Sequence, residues 1–148
     1  MSIYLRAALL GLATGGRSTV GITALARTTR PTRSWLTNRW VGRATGLASL
    51  VEFVGDKLPQ APSRFAPPGL ASRLVGGAIG GALLAKRNGR PGSMVVAALV
   101  GLAGAVAGAL LGSRWRAFAA GRLGTDWPGA AVEDVVTLTV AGYAALPR

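Results

Sequence analysis

An all-α, polytopic transmembrane helix bundle is the fold that three observations predict. Half of the residues are hydrophobic, only 15% are charged, and one long stretch carries no charge at all. Soluble domains usually carry about 25% charged residues. The charge-free stretch runs from Pro91 to Ser113, and a helix of that length approaches the ~30 Å hydrocarbon thickness of a bilayer. The 148 residues are read as a single membrane domain over 1–148. They offer too little bulk to bury a helix that is apolar on every face. Five hydrophobic segments are expected, of which four or five span.

Segment 3–26 comes first and is apolar apart from Arg6 and Arg17. Arg6, the apolar run Ala7–Gly16 and Ala24-Leu25-Ala26 mimic a secretory signal. Arg17 and the long polar stretch before the Ala-x-Ala argue against cleavage. Segment 41–58 contains Glu52 and Asp56, and either spans or re-enters. Segment 69–85 is short and carries Arg73. Segment 94–112, MVVAALVGLAGAVAGALLG, is the clearest, with Arg90 and Arg114 flanking it. Segment 129–146 holds Glu133 and Asp134 near its start.

The intervening stretches read as loops. Arg27–Trp40 is basic and broken by proline, and Pro59–Pro68, with four prolines, is expected to be non-helical. Lys86–Gly92 is a tight basic turn, and Ser113–Pro128 is a mixed loop in which 115–121 forms an interfacial helix. Tyr4, Trp35, Trp40, Trp115, Trp127 and Tyr143 all fall near segment ends, as an aromatic belt requires. With the N-terminus outside, the basic Arg27–Arg43 stretch faces the cytoplasm.

The formal charge of +12 would suggest nucleic acid in a soluble protein. Here the arginines cluster between apolar stretches, so the expected partner is a bilayer with anionic headgroups at the Arg-rich loops, and not nucleic acid. The chain contains no Cys and no His. Thiolate or imidazole metal sites and Ser-His-Asp hydrolysis are thereby excluded, and no cofactor is expected. An enzyme is not expected, because only a carboxylate pair is left for acid–base work.

Glycines four apart fall on one helix face and let neighbouring backbones approach. Gly76 with Gly80, Gly77 with Gly81, and Gly104 with Gly108 and Gly112 form such faces, as do Gly11 with Gly15 and Gly42 with Gly46. They serve either packing within the chain or a zipper that builds homo-oligomers. Arg17, Glu52, Asp56, Lys57, Arg73, Glu133 and Asp134 form a candidate intramembrane polar cluster. A charge at a helix centre costs about 2.5–3.5 kcal/mol and needs a partner or a polar cavity. Glu52 and Arg73, joined by the Pro-rich turn, are the pair expected to meet. Residues near helix ends would instead snorkel to water. Gly11-x3-Gly15-x-Arg17 also echoes Gly108-x3-Gly112-x-Arg114, which would make the halves inverted repeats.

The run Glu52-Phe-Val-Gly-Asp56-Lys57-Leu-Pro59, then Pro62, Arg64 and Arg73 before Gly76-Gly77-Ala78-x-Gly80-Gly81, resembles a bacterial membrane-protein family, domain of unknown function 4126. Gly11–Ser18 and Pro128-Gly-Ala-Ala-x-Glu133-Asp134 resemble it too. The resemblance implies a compact multi-helix protein of the inner membrane and supplies no activity. Two functions follow from these readings: a small transporter or channel component built on the polar cluster, or a scaffold that assembles through its Gly faces.

Overall fold

The first apolar stretch folds into two helices instead of one. The computed structural model describes residues 1–28, 40, 43–44, 46–48, 67–125 and 127–147. Within them, α1 spans Ile3–Gly16 and α2 spans Val20–Thr28. Ser2 starts α1 by accepting the Leu5 amide on its hydroxyl. The chain turns at 17–19, and α2 then folds back along α1, so that Gly21 lies against Thr14 and Leu10. Segment 3–26 is therefore no single crossing, and residues 1–4 and Thr28 share one end of the bundle. This departs from the expectation that the N-terminus and the start of the 27–43 stretch lie on opposite sides.

Helix α3 spans Pro67–Arg87, α4 spans Met94–Leu123 and α5 spans Trp127–Ala145. Among the described residues there is no strand. Pro67 and Pro68 sit in the first turn of α3, where a missing N–H is no loss, so the expected non-helical stretch ends before them. A short 3₁₀ turn, Pro91–Ser93, leads into α4 after Gly89 (φ 68°) closes α3. Helix α4 is the largest departure. It continues unbroken through the expected 113–128 loop to Leu123, 30 residues or about 45 Å, and stops at Gly124 (φ 69°). Nothing in RWRAFAAGR breaks a helix, and Ala and Arg favour one. Among the described residues one helix, Pro91–Leu123 with its 3₁₀ turn, is long and apolar enough to cross a membrane, and α1 is apolar but shorter. Segment 41–58 lies almost wholly outside the described residues.

Small residues hold the bundle together. Along α4, Ala97, Gly101, Gly104, Ala105, Gly108 and Gly112 form one buried ridge. A β-carbon on Gly108 would overlap the Leu12 carbonyl, and one on Gly104 the Ala8 carbonyl, so α1 and α4 run parallel with backbones in contact. The other flank of the ridge receives α3, antiparallel: Gly77 lies against Gly101 and Ala105, and Gly81 against Ala97. The two glycine pairs of α3 face different neighbours, since Gly76 and Gly80 meet Ser18 and Leu10. The parallel run of α1 and α4 corrects the inverted-repeat reading, and Arg114 is exposed where Arg17 is buried.

The apolar side chains are distributed inside out. Buried hydrophobic positions are mostly alanine, with Leu10, Leu25 and Leu84 the largest fully buried ones. Val95, Leu99, Leu111, Val135 and Leu138 point outward. A water-soluble core would reverse this order.

Candidate functional site

Charge enters the interior at both ends of the bundle. Arg6, Arg17, Arg73 and Asp134 are 3%, 5%, 4% and 7% exposed, as buried as the alanine core around them.

At the first end, Gly16 closes α1 without a side chain. A β-carbon there would stand 2.8 Å from Thr137 Oγ1, so glycine is what lets α5 come close. Arg17 then reaches Asp134, one turn from Thr137 along α5. Its Nε donates to Asp134 Oδ1 at 2.7 Å, and its Nη2 donates to the same oxygen. Arg73 crosses from α3, and its Nη1 donates to the Gly15 carbonyl at 3.2 Å. That carbonyl belongs to the last turn of α1, which has no downstream amide to accept from and where the helix dipole favours a cation. Ser18 and Ser72 pair at 3.0 Å beside it. Glu133 is half-buried, and its Oε1 is 3.6 Å from where a Gly16 β-carbon would stand.

A cavity of about 330 Å³ opens beside this cluster, between α1, α4 and α5. Leu12, Leu111, Val132 and Val136 give it apolar walls, and Glu133 and Thr137 give it a polar side. Gly108 and Gly112 form part of the floor. Trp115 closes one edge, held by its Nε1 donating to the Gly129 carbonyl at 2.8 Å.

The opposite end works on backbone carbonyls. Helix α5 finishes with no basic residue in its last turn. Arg6 supplies the missing cation from α1: Nε donates to the Ala144 carbonyl at 3.0 Å, and Nη2 donates to the Leu146 carbonyl. Arg87 comes from α3, with Nη2 donating to the Ala145 carbonyl at 2.7 Å and Nη1 to Thr28 Oγ1 at 3.0 Å. The Thr28 hydroxyl itself donates to Ala145 at 2.8 Å. Arg87 lies beyond the 69–85 segment. Burial, and then the nearby Arg6 charge, pull its pKa below the usual guanidinium value.

Of the residues singled out by sequence, the structure thus brings Arg17, Arg73, Glu133 and Asp134 to one end. Glu52, Asp56 and Lys57 lie outside the described residues, as does the expected Glu52–Arg73 pair. Gly76, Gly80, Gly104, Gly108 and Gly112 all lie on inward faces. Sequence reading missed Arg6 and Arg87 as site residues. The available signal was the last turn of α5, whose unmatched carbonyls require cations from elsewhere in the chain. No family model, curated protein or solved structure matches this chain.

Proposed function

We propose that the chain is a multi-pass inner-membrane protein whose Arg17–Asp134–Arg73 cluster is the polar site of a small transporter or channel component. The observation that carries this reading is the inverted surface: large aliphatic side chains outside, alanine, glycine and buried charge within. Lipid solvates the first group, and helix–helix contact without side chains suits the second. The aromatic residues support it as well. Tyr4, whose hydroxyl donates to Ser93 at 3.3 Å, and Tyr143 lie at one end, and Trp115 and Trp127 at the other. From Ser93 to Trp115 along α4 is about 33 Å, close to hydrocarbon thickness. Residues 1–4, Thr28 and Pro147 lie at the Arg6 end, together with Arg27, Lys86, Arg87 and Arg90. The positive-inside rule assigns that end to the cytoplasm.

The cavity beside Glu133 gives the transporter reading a place for a solute to sit. The alternative, a scaffold assembling through Gly faces, has less support, because Gly11, Gly15, Gly104 and Gly108 are already spent against the chain's own backbone. The resemblance to domain of unknown function 4126 belongs to the same reading and adds no activity to it. Two measurements test the proposal. The protein should resist carbonate extraction, and purified protein in proteoliposomes should pass small solutes at a rate that Glu133→Gln lowers. Folded, monodisperse protein without detergent would overturn the membrane reading. Flux indifferent to Glu133→Gln would overturn the assignment of the site.

A further inference from the structure

One hydroxyl at the Arg17 end breaks the pattern set by the other helical threonines. Thr14, Thr23, Thr28 and Thr139 each donate their hydroxyl to the carbonyl four residues back, at 2.7–2.9 Å. Thr137 does not. It is 7% exposed, yet among the described residues its hydroxyl has no hydrogen-bond partner. A hydroxyl taken out of water without a partner is costly. Thr137 Oγ1 lies over Gly16, in the space of the missing side chain, and both residues line the cavity between α1, α4 and α5. The hydroxyl therefore faces that cavity.

The rest of the cavity is hydrocarbon. Of its ten lining residues only Trp115, Glu133 and Thr137 carry polar side-chain atoms, and the Trp115 N–H is committed to the Gly129 carbonyl. Leu111 on α4 and Val132 and Val136 on α5 also reach the outer surface, so the mouth lies between these two helices. Leu111 is one turn, about 6 Å, inside Trp115, and Thr137 is eight residues, about 12 Å, deeper than Gly129. The mouth is thus at hydrocarbon depth. A second cavity, of about 350 Å³ between α2 and α5 with Arg27 at its mouth, differs. Gly142 lies along it, where a β-carbon would meet nothing within 4 Å. Its hydroxyls, on Thr23 and Thr28, are already committed.

We propose that the Thr137 cavity binds an uncharged lipophilic alcohol or phenol, which enters from the bilayer between α4 and α5. The proposal rests on the membrane reading above and deepens the transporter reading by naming a substrate class. The apolar body lies against Leu12, Leu111, Val132 and Val136, and the ligand hydroxyl pairs with Thr137, beside Glu133. A hydroxyl both donates and accepts, which suits a threonine next to a carboxylate. An ion would find too few polar groups to replace its hydration. The volume of about 330 Å³ is at the small end of ligand pockets, which suits a compact ring system and not a whole phospholipid.

The test uses the full chain in detergent and three probes of similar shape: naphthol, methylnaphthalene and naphthylmethylammonium. Equilibrium dialysis against matched micelles reads binding, and thermal melting reads stability. Naphthol should bind saturably and tighter than either of the others. Thr137→Val keeps the shape and removes the hydroxyl. It should weaken naphthol binding about fivefold, equivalent to ~1 kcal/mol for one hydrogen bond, while the unliganded protein melts no lower than wild type. Val136→Phe should fill the mouth and abolish binding, whereas Thr139→Val and Gly142→Leu should leave it unchanged. A lower melting temperature for unliganded Thr137→Val would reveal a hydroxyl already satisfied and overturn the proposal. So would naphthol binding that Thr137→Val leaves intact. Equal binding of naphthol and methylnaphthalene would mark a crevice for lipid tails instead, and tighter binding of the ammonium a cation site. If naphthol does not bind while flux still depends on Glu133, only the substrate class fails. If naphthol binds while flux ignores Glu133→Gln, the transporter reading fails and the binding site stands.

Discussion

The two ends of the bundle solve one problem, a buried arginine pair, in different ways. At the Arg17 end the interior contains a full countercharge, Asp134, with Glu133 adjacent to Gly16. At the Arg6 end the described partners of the arginines are carbonyls near the end of α5 and two neutral side chains, Asn88 and Thr28. The first arrangement is closed, because removing either partner strands a charge at low dielectric. The second places cations on the carbonyls at a helix C-terminus, where the helix dipole favours positive charge. The cavities follow the same division. The one beside the ion pair has Glu133 on its wall, and the one at the carbonyl-capped end has Arg27 at its mouth.

This contrast depends on the middle of the bundle, where the small-residue ridge sets the distance between helices. The largest effect should therefore come from Gly108→Leu, whose side chain would occupy the Leu12 backbone. No folded protein should be recovered by size exclusion in detergent, whereas Gly142→Leu should fold normally. Asp134→Asn comes next and should cost about 3–5 kcal/mol, as for a broken buried pair. Arg17→Gln added to it should recover part of the loss, measured as a double-mutant cycle in thermal melting. Strict additivity would remove the distinction between the two ends. Arg6→Gln should cost less, about 2–3 kcal/mol, since it removes charged hydrogen bonds to the Ala144 and Leu146 carbonyls. Arg87→Gln should be the mildest at about 1 kcal/mol, because the Thr28 hydroxyl still donates to the buried Ala145 carbonyl.

Much of this was legible in the sequence, for stated reasons. The charge-free run made α4 legible, because an uninterrupted apolar stretch of that length reads as one helix. The four-residue glycine spacing identified inward faces, because that spacing is a helix period. Asp134 and Arg17 were visible as charges that an apolar segment must pair. Their pairing with each other was not, since the two lie 117 positions apart and nothing local links them. The break in segment 3–26 was also missed. Gly16, Ser18 and Thr19 are poor helix formers in sequence, but apolar residues on both sides masked the turn. The extension of α4 to Leu123 was missed for the opposite reason. Arg114 and Trp115 read as the edge of a membrane, and an edge for lipid is no stop signal for a helix.

The most direct test of the membrane topology uses the absence of native cysteine. Single cysteines at Ser2, Thr125 and Pro147 place one thiol at the Arg6 end near each chain terminus and one between α4 and α5 at the other end. An impermeant maleimide applied to intact cells should label Thr125→Cys alone, and all three should label after lysis. Equal labelling of Ser2→Cys and Thr125→Cys in intact cells would contradict a bundle that crosses the membrane with both chain ends on the cytoplasmic side.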